Sequence, residues 1–402
     1  MPRRVSAAAL SLAFASTACD EAPSEGASST LRPIARQRFA AIDAGRPLLD
    51  TAAIRPLAPV RRLALDGTAA YSLSNPVSIS AAGAPVCRVA VGDRIDRAVH
   101  LFAHDGAYRS TVFGGGRDTT AFPNLRSVAL DTTGALAVSD MGRGTLHLFA
   151  PDGSRRGTRV LARLKGDFSL GSQLVWGPDG RLLEHWFSYE LPIISKDWDE
   201  RLPLVRILSP EGGAVGGLGT VRREPGQTFT AALNRGIIAR RADTLWYARR
   251  ADGRLLAFDL ARPGAEPVRA VDIPVFYHMS APQEGQVPGP AGYEVAVQEH
   301  VRAFAIAPSG HFLIGQSRWF PEAAPGTLFR PRTALTVLDP SGRHVGAYDL
   351  GGEIVSLAAS DRWIYAILID PEEGTRVASV YPNPVAAPSA AGAPCGGGAG
   401  PG

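Results

Sequence analysis

Two nine-residue segments, AVHLFAHDG at 98–106 and TLHLFAPDG at 145–153, are nearly superimposable and lie 47 residues apart. Self-similarity at a fixed period of roughly 40–50 residues is the mark of a repeat architecture, and it limits the fold more than any local propensity does. Each copy follows a second apolar run, VAVGDRIDR at 89–97 and LAVSDMGRG at 136–144. Both pairs read as strand, Gly/Asp turn, strand, then an Asp-Gly hairpin turn. Looser copies follow at 204–213 (LVRILSPEGG), 254–264 (RLLAFDLARPG), 334–342 (ALTVLDPSG) and 364–374 (IYAILIDPEEG). An earlier strand-and-turn signal recurs at 127–134, 173–180, 237–243, 303–310 and 355–361. The two signals together make six units beginning near Asn75, and nothing past the first nineteen residues keeps a helical period.

A unit of this length holding four short strands is the signature of a propeller blade. One blade cannot bury both faces of its sheet. Standing between two neighbours it can, and closing the circle removes the long open edge. The sequence therefore predicts an all-β, six-bladed β-propeller over 56–384. The 44 Gly and 32 Pro suit a chain with so many tight turns. The isolated strand at 60–67 (VRRLALDG) is predicted to pair with the last blade as its outermost strand, joining the two ends of the chain.

The segment 112–153 (VFGGGRDTTAFPNLRSVALDTTGALAVSDMGRGTLHLFAPDG) resembles an NHL-type repeat. It has the Gly-rich turn, the Phe and Pro before a strand, the Gly turn, the strand ending in Asp and the strand ending in Phe. The likeness is good over about two blades and loose elsewhere. It implies the propeller fold. NHL-like propellers include ligand binders, protein and RNA binders and some enzymes, so it leaves function open.

The first nineteen residues read as an export segment: Arg3 and Arg4, a short apolar stretch from Val5, then Ser16-Thr17-Ala18-Cys19. The last four resemble a bacterial lipobox, which implies a lipid on Cys19. Plain cleavage after Ala18 is the other reading. Residues 20–55 are expected to form a flexible tether and 385–402 a disordered Gly/Pro/Ala tail. The expected location is outside the cytoplasm, anchored by that lipid and touching a membrane only through it, or else secreted. Cys87 and Cys395 are left open: an oxidising compartment would let them pair, but sequence cannot place them within bonding distance, and a buried strand cysteine with a free tail thiol is the plainer reading. Lys and Arg number 42 against 38 Asp and Glu, with no basic run, so a nucleic-acid partner is not expected.

Strand order places the second-to-third loops on the same face as the connections between blades. The long insertions at 185–203, 276–300 and 315–332 all fall there, and function in repeat folds gathers where insertions do. Trp186, Tyr189, Trp198, Trp319 and Phe320 within them suit recognition of a protein, peptide or glycan, or a local lid. Residues at the starts of innermost strands would ring the channel on that face: Asn75, Asn124, Arg126, Gln173, Asn234, Arg235, His300, Arg302 and Glu353. These are the candidate ligand-binding residues, either converging on a ligand or lining a wet channel. No HExxH, P-loop, GxSxG, GxGxxG, CxxC or EF-hand pattern occurs, no catalytic residue is assigned, and no cofactor is expected. His100 and His147 fall at equivalent repeat positions, which points to a strand-face role. Lactonase-type propellers hold a divalent metal through Glu, Asn and Asp, and resemblance to them would cast Glu353, Asn124 and Asn234 as ligands of a metal-dependent hydrolase, the alternative to a binding module.

Overall fold

The computed structural model describes residues 45–65, 73–112, 122–142, 144–161, 173–185, 203–210, 212–221, 234–278, 285–289, 292–296, 299–319, 332–386 and 395. Two short strands come first, β1 (Arg55–Pro56) and β2 (Arg61–Arg62). Blade 1 is β3 (Pro76–Ala82), β4 (Arg88–Asp93), β5 (Ala98–Ala103) and β6 (Tyr108–Val112). Blade 2 is β7 (Leu125–Leu130), β8 (Leu136–Asp140), β9 (Thr145–Phe149) and β10 (Arg155–Val160). Blade 3 is β11 (Gln173–Trp176), β12 (Leu182–His185), β13 (Val205–Leu208) and β14 (Ala214–Leu218). Blade 4 is β15 (Gly236–Arg241), β16 (Thr244–Arg249), β17 (Arg254–Asp259) and β18 (Arg269–Asp272). A separate hairpin, β19 (Gly285–Gly289) and β20 (Gly292–Ala296), precedes blade 5. Blade 5 is β21 (Val301–Ile306), β22 (Phe312–Trp319), β23 (Arg332–Leu338) and β24 (His344–Asp349). Blade 6 has β25 (Glu353–Ala359), β26 (Trp363–Ile369) and β27 (Arg376–Pro382), and β2 supplies its fourth strand by antiparallel pairing of Arg61 with Val380. The chain is a six-bladed β-propeller, and β2 and the last strand, β27, close the ring as the sequence predicts.

The repeated Asp-Gly turns have a common cause. In the third hairpin turn of blades 1 and 2, Asp105 and Asp152 accept the amides of Ala107 and Ser154, two residues on. Gly106 and Gly153 then take φ near 86° and 85°, the left-handed region a side chain disfavours. Among the described residues, six apolar clusters fill the interfaces between consecutive blades, one at each, including blade 6 against blade 1. That last cluster joins Ile79, Val89 and Phe102 to Tyr365, Ile367 and Val380. The innermost strands are knitted by side chains, because a strand edge facing the channel leaves amides without a ladder partner. Ser78 and Ser80 accept the amides of Val128 and Leu130, Ser127 accepts that of Leu174, and Thr333 accepts that of Ile354. Gln173 copies a backbone pair, donating to the Ile238 carbonyl at 3.0 Å and accepting its amide at 2.7 Å.

Two features depart from the sequence expectation. Residues 45–55, assigned to the tether, run along the outer edge of the propeller. Arg46 is buried and donates to the carbonyls of Asp252 and Gly253, Leu48 pairs with Val275, and β1 adds a fifth, parallel strand beside β24. Leu49 and Ile54 pack on Phe276, Ala334 and Ala347, which is why this stretch stays on the protein. The tail is also tied down: Cys395 is disulfide-bonded to Cys87, in the turn after β3, with the two Cα atoms 5.5 Å apart. The pairing was open in the sequence, and the fold closes it by bringing the end of the chain back to blade 1.

His100 and His147 are buried between strands. Their Nδ1 atoms sit 2.8 Å and 3.1 Å from the hydroxyls of Thr111 and Thr158, which are themselves 47 residues apart. Both are cross-strand pairs inside a blade.

Candidate functional site

The innermost strands of all six blades enclose a cavity of about 570 Å³ along the axis. Strand register fixes which side chains stand at its mouth, the end where those strands begin. Arg126 and Arg302 are the second residues of β7 and β21, and Arg235 immediately precedes β15. Pro76 pairs with Asp93 and Gly236 with Arg249, so Arg94 and Arg250, one residue further on, reach the same end. Arg376 pairs with Ile369, which pairs with Glu353 at the start of β25. Six guanidinium groups from five blades thus line one mouth of the cavity, and blade 3 adds Gln173. Asp131 and Arg240 lie at the far end of their strands, on the opposite side of the channel.

Two carboxylates stand among the six arginines, and both are buried. Glu299 accepts from Arg302 at 2.9 Å and Arg250 at 3.2 Å, with Arg235 3.9 Å away. Glu353 accepts from the other Nη of Arg302 at 2.5 Å. These pairs are well shielded: Glu299 is 1% exposed, and Arg235, Arg250 and Arg302 are 12, 20 and 24% exposed. Buried ion pairs of this kind hold position, because removing one partner strands the other's charge. On the blade 6–blade 1–blade 2 side, the balance is different. Burial pushes the Arg376 guanidinium below its ordinary value, Arg94 adds to that, Glu353 opposes it, and Arg126 lowers it further. Asp93 and Asp140, beneath this side, are turned to the backbone. Asp93 accepts the amides of Asn75, Ile95 and Asp96, and Asp140 accepts those of Asn124 and Gly142. This is the physical reason for the Asp that ends the second strand of blades 1 and 2: it ties the start of the innermost strand to the next turn.

The structure places Arg126, Gln173, Arg235, Arg302 and Glu353 on the cavity wall, together with Arg94, Arg250 and Arg376, which sequence reasoning missed. Asn124 sits at the start of β7, where its carbonyl accepts the Met141 amide, and it does not line the cavity. Asn234 is buried, and its carbonyl accepts from the Tyr247 hydroxyl at 2.6 Å and from His185 at 3.3 Å. Burial drives the pKa of that histidine down to about 3. His300 is fully buried beside Tyr277, its amide bonded to the Arg250 carbonyl at 2.8 Å, so it fixes Arg250 from beneath. Asn75 flanks the start of β3, its carbonyl accepting the Arg94 amide. Trp186, Tyr189, Trp198, Phe320 and Cys19 lie outside the described residues. Trp319 ends β22, paired through its backbone with Arg332.

The donor set at the mouth does not fit a divalent cation. Of the residues resemblance would cast as ligands, Glu353 is bound to Arg302, and Asn124 and Asn234 are off the cavity wall. Among the described residues, the one cluster of three His, Cys or carboxylate groups within reach of a common ion is Cys87, His104 and Cys395. It lies in the turns at the other end of blade 1, and its two sulfurs are bonded to each other.

The chain matches no protein-family model. No curated protein resembles it significantly in sequence. Among solved structures, it is similar to a gluconolactonase from Xanthomonas campestris (14% identity, TM-score 0.47, covering 87% of this chain and 99% of that one). It is also similar to a calcium-binding protein, regucalcin, from Agrobacterium tumefaciens (13%, 0.48, 82% and 97%). A virginiamycin B lyase from Staphylococcus aureus aligns at 10% identity and a TM-score of 0.43, covering 81% and 88%. At such identities the likeness concerns architecture and carries nothing about activity.

Proposed function

We propose that this chain is a non-enzymatic binding propeller of the NHL-repeat type, exported and either held at the cell envelope by a lipid on Cys19 or secreted. Its partner is a protein, peptide or glycan at the long-loop face, with the channel mouth at the centre of that face. One observation carries the reading: the mouth presents six arginines, three of them held by the buried carboxylates Glu299 and Glu353, and among the described residues the one His/Cys/carboxylate cluster within reach of a common ion lies at the other end of blade 1. Guanidinium groups held in this way are recognition devices, as they carry permanent charge and forked donors yet cannot shuttle protons at neutral pH. The aromatics Trp186, Tyr189, Trp198, Trp319 and Phe320 of the neighbouring insertions would widen the contact.

The metal-dependent hydrolase of the lactonase type has less support, because its three ligand positions are committed elsewhere or lie off the wall. The test is a thermal-shift and lactone-hydrolysis comparison of purified wild type, Arg126→Gln and Glu353→Gln, with and without added Ca²⁺ or Zn²⁺. A ligand that raises the wild-type melting temperature and fails to raise that of Arg126→Gln supports the binding module. Metal-dependent lactone turnover that disappears in Glu353→Gln overturns it.

A further inference from the structure

Cys87, His104 and Cys395 meet at the end of blade 1 opposite the arginine mouth, with the two sulfurs and one ring nitrogen within 4.8 Å of one another. The fold presets two of these three groups. Cys87 sits in the turn between β3 and β4, where its amide donates to the Gly83 carbonyl at 2.9 Å. His104 opens the turn between β5 and β6 and is 6% exposed. Its Nε2 donates to the Ala82 carbonyl at 2.8 Å, so Nε2 carries the proton and Nδ1 keeps its lone pair. A histidine whose second nitrogen is held by a carbonyl already has the form that binds a metal. The Tyr365 hydroxyl donates to the His104 carbonyl at 2.8 Å and anchors this turn to blade 6, at the seam of the ring. The third group, Cys395, arrives on the tail beyond β27. A tetrahedral zinc ion holds two thiolates about 3.8 Å apart, and a thiolate and an imidazole nitrogen about 3.5 Å apart. Both spans fit within this cluster.

We propose that Cys87, His104 and Cys395 form a zinc site when the disulfide is reduced, so that the tail is held to blade 1 by the S–S bond in one redox state and by the metal in the other. The two states exclude each other, because the bond engages both sulfurs that the metal needs. The exchange balances with a dithiol as reductant. One of its thiolates attacks a sulfur of the bond and forms a mixed disulfide, and its second thiol displaces the remaining cysteine. Two electrons pass to the cysteine pair, and the dithiol leaves as its own disulfide. Zinc then takes both sulfurs as thiolates, and two protons go to solvent. The thiolates cancel the charge of the ion, His104 supplies the third ligand and water the fourth. Two sulfurs and a nitrogen select zinc over calcium or magnesium, which take oxygen ligands. This site is independent of what the long-loop face binds.

The test uses the full chain carrying Cys19→Ser, which leaves Cys87 and Cys395 as its cysteines. One sample stays oxidised. The other is reduced with a phosphine, desalted without air and titrated with Zn²⁺ against a chelating indicator. The expected result is one zinc per reduced chain, bound more tightly than about 1 μM, and none at that affinity on the oxidised chain. Zinc should raise the melting temperature of the reduced chain alone, and excess Ca²⁺ should not displace it. Co²⁺ in its place should give a thiolate-to-metal charge-transfer absorption, which a site of surface histidines does not produce. His104→Gln and Cys395→Ser should each weaken binding by about a hundredfold or more. His311→Gln, in a turn of blade 5, should leave it unchanged. Circular dichroism checks that each variant folds, and Cys395→Ser lies beyond the last strand, so it serves even where His104→Gln unfolds the blade. The proposal is overturned if the folded, reduced chain takes no zinc, if the oxidised chain takes it equally well, or if binding survives either His104→Gln or Cys395→Ser.

Discussion

The bond between Cys87 and Cys395 spans 308 residues of sequence and every blade of the propeller. Cys87 lies in blade 1, and Cys395 follows the last strand of blade 6, so the bond crosses the seam where the ring closes. Replacing both cysteines removes that constraint. In the chain-entropy picture, a loop of this length restricts the unfolded ensemble by about 5–6 kcal/mol at 25 °C. Part of that is offset, because the segment after Pro382 regains freedom in the folded state once the bond is gone. Measured disulfides also fall short of the entropic figure, so a loss of about 2–5 kcal/mol is expected. The assay is equilibrium urea unfolding of wild type and the Cys87→Ala/Cys395→Ala double variant, with peptide mapping under non-reducing conditions to establish the bond. The variant should have a lower midpoint, and its m-value should rise, because an uncrosslinked unfolded chain exposes more surface. Equal midpoints and equal m-values, or a wild type without the linked peptide, would refute the idea that the tail is a second lock on the seam.

Three further outcomes follow from the packing. Arg206 and Glu184 form an ion pair inside blade 3, with side chains 2% and 0% exposed, so Arg206→Ala should destabilise by about 3–5 kcal/mol, whereas Arg206→Met with Glu184→Leu should recover most of the loss in urea unfolding. Gly92 lies against blade 2, where a Cβ would fall 2.5 Å from the Leu125 side chain, so Gly92→Ala should cost about 1–3 kcal/mol by overpacking, and Leu125→Ala should relieve part of that cost. His185 is buried uncharged, with its pKa lowered from an ordinary 6.5 to about 3, so the unfolded chain binds its proton first and stability should fall as pH drops below 6.5 towards 3. The slope in denaturation at pH 7, 6 and 5 should approach about 1.4 kcal/mol per pH unit from this group. His100 and His104, also lowered chiefly by burial, act in the same direction. His185→Gln should flatten the curve, and an unchanged slope would contradict the assignment.

The parts of the fold legible in the sequence are those set by local chemistry. The Asp-Gly hairpins announce themselves because one carboxylate and one left-handed glycine make the turn in place, so the units could be numbered before their packing was known. The closing strand β2 was legible for a different reason: a single strand-like run stood alone ahead of the first full unit, while the last unit was short of one strand. What stayed hidden depends on closure. β1 has two residues and no alternation, and residues 45–55 are held by Arg46 and by Leu49 and Ile54 against distant blades. The site divides in the same way. Arg126, Arg235 and Arg302 were found from their place at innermost strands. Arg94 and Arg250 sit one residue past second strands, and Arg376 begins a third strand, so only the antiparallel register brings them to the mouth. The available signal was that a residue following the second strand faces the start of the first. Asn124 and Asn234 were placed at the right end of the blade, but their carbonyls hold turns and neighbouring side chains in place.

A crystal structure of the chain tests the account most directly. It should show six blades, β2 paired with β27, and the guanidinium groups of Arg94, Arg126, Arg235, Arg250, Arg302 and Arg376 around one mouth of the channel. A cation held there by Glu353 with Asn124 and Asn234, or strands arranged as an open sandwich, would contradict it.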